Sequence, residues 1–187
     1  MIHFDDDRYV ARRDVTFLRP RVSLSDSGGS VVCAARVGVA RLRRRIIVFG
    51  DIDLTGPMFT ITGQEMVGFS TRYDVTDVES QGTIGSVRRA GLLSTDRARW
   101  RLFNKDGQEV ARVILTEAPS PVSSAIKGIL PRTWEVVISG TDRVAARFRE
   151  RWVASGITIN VTFFPEDGDF LDRRLAIAGL MLLLFVR

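Results

Sequence analysis

The chain has 187 residues, of which 45% are hydrophobic and 26% are charged, a composition that disfavours a disordered chain and suits one globular domain. The single cysteine, Cys33, excludes an intrachain disulfide, favours a reducing compartment and is expected to be a small buried apolar residue. The net charge is +5 and is carried by 25 Arg and only 2 Lys, a bias typical of a GC-rich bacterial genome. This basic balance favours an anionic partner, either a lipid surface or nucleic acid.

The N-terminal segment, residues 1–14, carries Asp5, Asp6 and Asp7 and lacks the apolar run of a secretion signal, so we expect a cytoplasmic protein. We expect this segment to be mobile. It contains the only histidine, His3, which any Ser-His-Asp triad, Cys-His pair or histidine metal site would need. Because no Gly-rich phosphate loop is present either, we expect a protein that is not an enzyme.

Four segments along the chain share one pattern, a strand, a polar turn with glycine and a second alternating strand. They run from Val22 to Val32, from Tyr73 to Val87, from Trp100 to Val113 and from Trp134 to Phe148. Glycine supplies the positive φ that tight hairpins require. The part from Val144 to Trp152 also fits a helix, but the turn before it favours a strand. The pattern predicts an antiparallel, mainly β protein.

The C-terminal part changes its periodicity. Residues Ile157 to Phe163 alternate as a half-buried strand, whereas Leu175 to Val186 is apolar on every side. As a helix these 12 residues extend about 18 Å, too short for a hydrocarbon core of about 30 Å. We therefore predict a central helix over residues 169–187, capped by Asp169 or Asp172 and enclosed by the strands rather than by lipid.

The order of four stretches resembles the tubby C-terminal-like fold, and within it the sequence is most similar to the phospholipid scramblase and LURF-one-related families. The stretches are Ser70–Arg89, Ala98–Val113, Trp134–Trp152 and Ile157–Phe185, and the resemblance extends from about Val15 to Phe185. It implies one domain over residues 1–187, a closed antiparallel β-barrel of about 12 strands around the apolar C-terminal helix. It also implies a non-catalytic domain that associates with anionic phospholipid headgroups or a membrane surface.

Two arginine runs are the candidate lipid- or anion-binding residues, because tubby-like domains of animals bind phosphoinositide headgroups through basic residues. The runs are Arg41, Arg43, Arg44 and Arg45, just before an apolar stretch, and Arg147, Arg149 and Arg151, which should project from one face of a strand. An ordinary solvated face is the alternative interpretation. Membrane association is expected rather than lipid scrambling, since the chain lacks the Pro-rich extension and cysteine cluster typical of animal scramblases.

The acidic residues Asp167, Asp169 and Asp172 are the candidate calcium ligands. The resemblance implies an Asp-rich segment that begins in the last strand, but this chain has Gly156 and Thr158 at the corresponding positions. Helix capping is therefore the favoured role of these acids, with Arg173 and Arg174 expected to pair with Asp167 or Asp169. No cofactor is expected, calcium being the one candidate.

The alternative function is a soluble protein-interaction or structural scaffold domain with no lipid role. Nucleic acid is the least favoured partner because the basic runs are not interleaved with aromatic residues. Trp100, Trp134 and Trp152 are instead expected in the core or at the rim of the barrel.

Overall fold

The computed structural model describes residues 4–14, 20–37, 45–64, 71–89, 98–116, 131–153, 156–165 and 171–185. These residues form twelve strands and one helix. In chain order they are β1 (Arg8–Asp14), β2 (Arg21–Ser25), β3 (Val31–Val37), β4 (Arg45–Phe49), β5 (Pro57–Gln64), β6 (Arg72–Asp77), β7 (Thr83–Arg89), β8 (Ala98–Asn104), β9 (Glu109–Thr116), β10 (Thr133–Ile138), β11 (Val144–Val153), β12 (Gly156–Phe163) and α1 (Arg173–Phe185).

The twelve strands form a closed antiparallel barrel in which each strand pairs with its neighbours in the chain. Closure is made by β1, which pairs with β2 on one edge and with β12 on the other. The predicted fold class is thus confirmed. Residues 8–14, expected to belong to a mobile segment, form this closing strand. Tyr9 and Ala11 face inward and are buried, while Arg8, Val10 and Arg12 face outward.

The four predicted hairpins are confirmed as β2–β3, β6–β7, β8–β9 and β10–β11. The β8–β9 turn shows how local chemistry makes them. The Asn104 side chain accepts N–H bonds from Asp106 at 3.0 Å and from Gln108 at 2.9 Å. Gly107 follows at φ 78°, a left-handed conformation that side chains with a Cβ rarely adopt. Such turns fix the pairing register of the strands that follow.

The barrel is filled by α1, as predicted from its uniformly apolar sequence. Every residue from Leu175 to Leu184 is buried, and Leu180 and Met181 have no exposed surface. Inward-facing side chains of the strands complete one continuous core, with Trp100 and Trp134 among them. The helix begins at Arg173, later than residue 169, and residues 166–170, 186 and 187 lie outside the described part of the chain.

Asp172 caps α1, which confirms one of the two predicted caps. Its Oδ1 accepts the Arg174 backbone N–H at 2.9 Å. The Arg174 guanidinium bridges two carboxylates, with Nη2 at 2.7 Å from Asp172 and Nη1 at 2.9 Å from Asp77 at the end of β6. The cap is therefore tied to the barrel wall.

Arg173 binds the backbone that precedes β1. It donates to the carbonyls of Phe4 at 2.6 Å and Asp6 at 2.7 Å, and pairs with the Asp7 carboxylate at 3.0 Å. We call this set of contacts the N-terminal clasp. The predicted partners of Arg173 and Arg174, Asp167 and Asp169, lie outside the described residues. Apart from Asp172, the observed partners come from distant parts of the chain that no local pattern indicates.

Gly85 of β7 lies where the paired strand β8 and the helix α1 both come near its Cα. A Cβ at this position would lie 2.2 Å from the Phe103 carbonyl oxygen and 3.3 Å from Leu175 of α1. The first distance is far below any real contact, so β7 and β8 can pair here only because this residue has no side chain.

A charge inside the barrel should prevent folding. Replacing Leu180 by Asp places a carboxylate where no solvent reaches, at a cost of several kcal/mol against a total stability of about 5–15 kcal/mol. We expect no soluble, cooperatively melting Leu180→Asp protein by circular dichroism. The control is Ile52→Asp, at a side chain 49% exposed, which should melt like the parent. A Leu180→Asp protein that also melts like the parent would place α1 outside the barrel.

Two glycine substitutions should have different effects on stability, because one glycine lies against a backbone carbonyl and the other lies inside a helix with room for a methyl group. Gly85→Ala must displace the Phe103 carbonyl and should lower the free energy of unfolding by about 1–3 kcal/mol. In Gly179→Ala the new Cβ meets its nearest atom, of Leu102, at 3.5 Å, so the helix should keep or gain up to about 1 kcal/mol. Urea denaturation of both variants measures the difference. Equal effects would contradict the close approach at Gly85.

Candidate functional site

The first predicted arginine run is described at one residue only. Arg45 opens β4 and is exposed, whereas Arg41, Arg43 and Arg44 lie outside the described residues. The position of Arg45 is nonetheless informative, because it fixes the side of the barrel on which the run ends.

The second run has the predicted arrangement. Arg147, Arg149 and Arg151 are all exposed on the outer face of β11, alternating with the buried Phe148 and Glu150. Arg45 and the second run are on different sides of the barrel. From β4 the order is β3, β2, β1, β12 and then β11, so Arg45 is five of twelve strand positions away.

Strand β1 adds arginines to the β11 face that sequence reasoning missed. In the register of β11, β12 and β1, Thr162 lies between Arg147 and Arg8, and Thr158 lies between Arg151 and Arg12. Strands in a sheet are about 4.8 Å apart, so each arginine pair is separated by about 10 Å. We call Arg8, Arg12, Arg147, Arg149 and Arg151 the β11–β1 arginine surface.

Most of this surface has no internal charge compensation. Arg147 pairs with Glu135 of β10 at 2.8 Å and packs 5.6 Å from the centroid of the Phe164 ring. The other four guanidinium groups form no ion pair with any carboxylate of the described ranges. The outward side chains of β12 between them, Thr158, Asn160 and Thr162, carry no charge. Four positive charges therefore face solvent around a neutral polar strand.

A depression of about 440 Å³ lies within this surface. Its lining residues are Pro131, Arg149, Glu150, Arg151 and Asn160. Glu150 is only 3% exposed, and its Oε2 accepts the backbone N–H of Arg132 at 3.1 Å. The lining thus combines two guanidinium groups and one carboxamide with the nearly buried Glu150 carboxylate.

The candidate calcium ligands are described only at Asp172. Its carboxylate caps α1 and pairs with Arg174, which accounts for both oxygens. Gly156 and Thr158 belong to β12, and the Thr158 hydroxyl donates to the Arg151 carbonyl at 3.2 Å. Among the residues that the structure describes, no three His, Cys, Asp or Glu side chains are grouped to hold a metal ion.

Cys33 faces the barrel interior and is fully buried, as predicted. Burial raises the pKa of its thiol to about 12, so that the thiolate is absent at neutral pH. The side chain packs as an apolar group and offers no nucleophile.

No protein-family model matches this sequence, and no curated protein matches it either. Within the described ranges, no helix has both the length and the apolar character needed to cross a bilayer.

Proposed function

We propose that this protein is a non-catalytic domain of the tubby-like, scramblase-related group, and that it associates with anionic phospholipid headgroups through the β11–β1 arginine surface. The observation that carries the proposal is the uncompensated charge of Arg8 and Arg12 on β1 and of Arg149 and Arg151 on β11, the two strands on either side of β12. The resemblance of the sequence to the scramblase and LURF-one-related families supplies the class of ligand.

Guanidinium chemistry favours phosphate as the group that is bound. Arginine presents a planar fork of donors that matches phosphate oxygens two at a time. Arg149 and Arg151 lie two residues apart on one strand, about 7 Å, with Asn160 beside Arg149 on β12. One headgroup phosphate in the depression could contact both forks and the carboxamide.

The expected strength is that of reversible, peripheral binding. Each basic side chain near an anionic membrane contributes about 1 kcal/mol, so four contribute about 4 kcal/mol, or about a thousandfold preference for the surface. Val10 lies between Arg8 and Arg12 on β1 and is 39% exposed. Among the described residues, it is the one exposed large apolar side chain within the β11–β1 arginine surface. Charge without a substantial apolar anchor gives binding that weakens as salt is added.

The proposal is limited to association with the membrane surface. Because α1 fills the barrel, its interior leaves no room for lipid to pass. Association through an outer face needs no change in the barrel.

Sedimentation with phosphatidylserine-containing vesicles tests the proposal. The parent protein should sediment with these vesicles and not with phosphatidylcholine alone. The triple variant Arg12→Gln, Arg149→Gln, Arg151→Gln should bind about a hundredfold more weakly, since it loses about 3 kcal/mol of attraction.

The matched control removes three exposed charges elsewhere, with Arg36→Gln, Arg45→Gln and Lys105→Gln on β3, β4 and the β8–β9 turn. It should keep most of the binding. Equal losses in both triple variants would indicate attraction by net charge alone, and loss only in the control would move the site to the β4 side. A parent protein that ignores anionic vesicles rules the lipid role out and leaves the scaffold function.

A further inference from the structure

A second group of arginines lies on another face of the barrel, in one straight line across four adjacent strands. Arg72 of β6 is directly opposite Arg88 of β7, Arg88 is opposite Arg101 of β8, and Arg101 is opposite Arg112 of β9. We call these four residues the β6–β9 arginine row. At about 4.8 Å per strand the row is about 15 Å long.

The carboxylates that contact the row sit near its ends. Asp74 accepts from Arg72 Nε at 2.7 Å and also from the Gln64 amide. Glu109 pairs with Arg112 at 2.5 Å and with Arg101 at 3.5 Å, and it accepts the Ser139 hydroxyl at 3.0 Å. These contacts hold the pKa of Glu109 below its ordinary value against the opposing effect of burial, so it stays ionised at neutral pH.

Arg88, at the centre of the row, is the exception. No carboxylate of the described residues pairs with it, and its Nε is buried without a hydrogen-bond partner. Its guanidinium carbon lies 4.4 Å from the centroid of the Phe103 ring. A cation–π contact attracts the charge to the ring but does not neutralise it.

Like charges directly opposite each other on neighbouring strands destabilise a sheet, and Arg88 faces one on each side. An anion held over Arg88 would remove this repulsion and would fill the gap between Asp74 and Glu109. Asp74 and Glu109 lie on either side of Arg88. An anion over Arg88 can therefore extend along the row from Arg72 to Arg101, a distance of about 10 Å.

From this geometry we infer that the β6–β9 arginine row binds a linear anion with adjacent phosphoryl groups, of about diphosphate to triphosphate length. A single phosphate offers three guanidinium groups the same few oxygens, whereas a short chain places one phosphoryl group near each. The row lies on β6 to β9 and shares no residue with the β11–β1 arginine surface, so this inference stands independently of the lipid proposal.

Isothermal titration of the parent protein with inorganic tripolyphosphate, orthophosphate and ATP tests the inference. Tripolyphosphate should bind at least about tenfold more tightly than orthophosphate, because each further charge-assisted contact raises the affinity by about a factor of ten. If ATP binds more tightly than tripolyphosphate, the bound phosphate chain belongs to a nucleotide. If ATP binds equally tightly or more weakly, the ligand is an inorganic polyphosphate. Equal affinity for tripolyphosphate and orthophosphate, or no binding of tripolyphosphate and ATP, overturns the inference.

Variants locate the site. Arg88→Gln should weaken tripolyphosphate binding by about tenfold or more while leaving the fold intact, because it removes two like-charge contacts. Arg88→Lys keeps the charge but loses the fork, so an intermediate affinity is expected. Arg72→Gln gives a second variant at an end of the row.

The control variant is Arg36→Gln, Lys105→Gln, which removes two exposed charges on β3 and the β8–β9 turn, outside both arginine surfaces, and should bind tripolyphosphate like the parent. If Arg88→Gln binds like the parent, or if the control loses binding to the same extent, the row is not the site.

Discussion

The rest of the structure depends on the enclosure of α1. A 13-residue helix with apolar side chains on every face cannot be stable in water, and only a wall that surrounds it completely removes that surface from solvent. A closed barrel of twelve strands is such a wall, and it also leaves no open sheet edge. Gly85 adds a constraint within the wall, because a Cβ at that point would lie 2.2 Å from the Phe103 carbonyl oxygen of the paired strand.

Closure of the wall depends on the N-terminal part of the chain. Strand β1 fills the position between β12 and β2, and Arg173 of α1 binds the backbone just before it. The helix thus holds the strand that completes its own enclosure. Arg174 makes a similar link to β6 through Asp77. Burial of Tyr9 beside this clasp raises the pKa of its hydroxyl to about 12, as expected for a phenol turned toward the core.

Local patterns predicted the hairpins, the C-terminal helix and its cap, because glycine, Asn and Asp in turns and uniform apolarity over 12 residues act within a few positions of the chain. They did not predict β1, whose sequence RYVARRD is mostly charged and becomes a strand only by pairing on both edges. They also placed Arg147, Arg149 and Arg151 on one face but missed Arg8 and Arg12. Those arginines join the surface only through the register across β12, a relation between residues about 150 positions apart in the chain. The β6–β9 row also depends on register, here across four strands that follow one another in the chain.

With the interior filled by side chains, the functions proposed for this protein belong to its outer faces, and both depend on the barrel that sets the spacing of the arginines. The most direct test of that arrangement is native-state amide hydrogen exchange, read residue by residue by NMR. If α1 is enclosed, the amides from Ala178 to Leu184 should exchange only through global unfolding, with a free energy equal to that of the slowest strand amides. Exchange of these amides at a much lower free energy, while the strands stay protected, would contradict an enclosed helix.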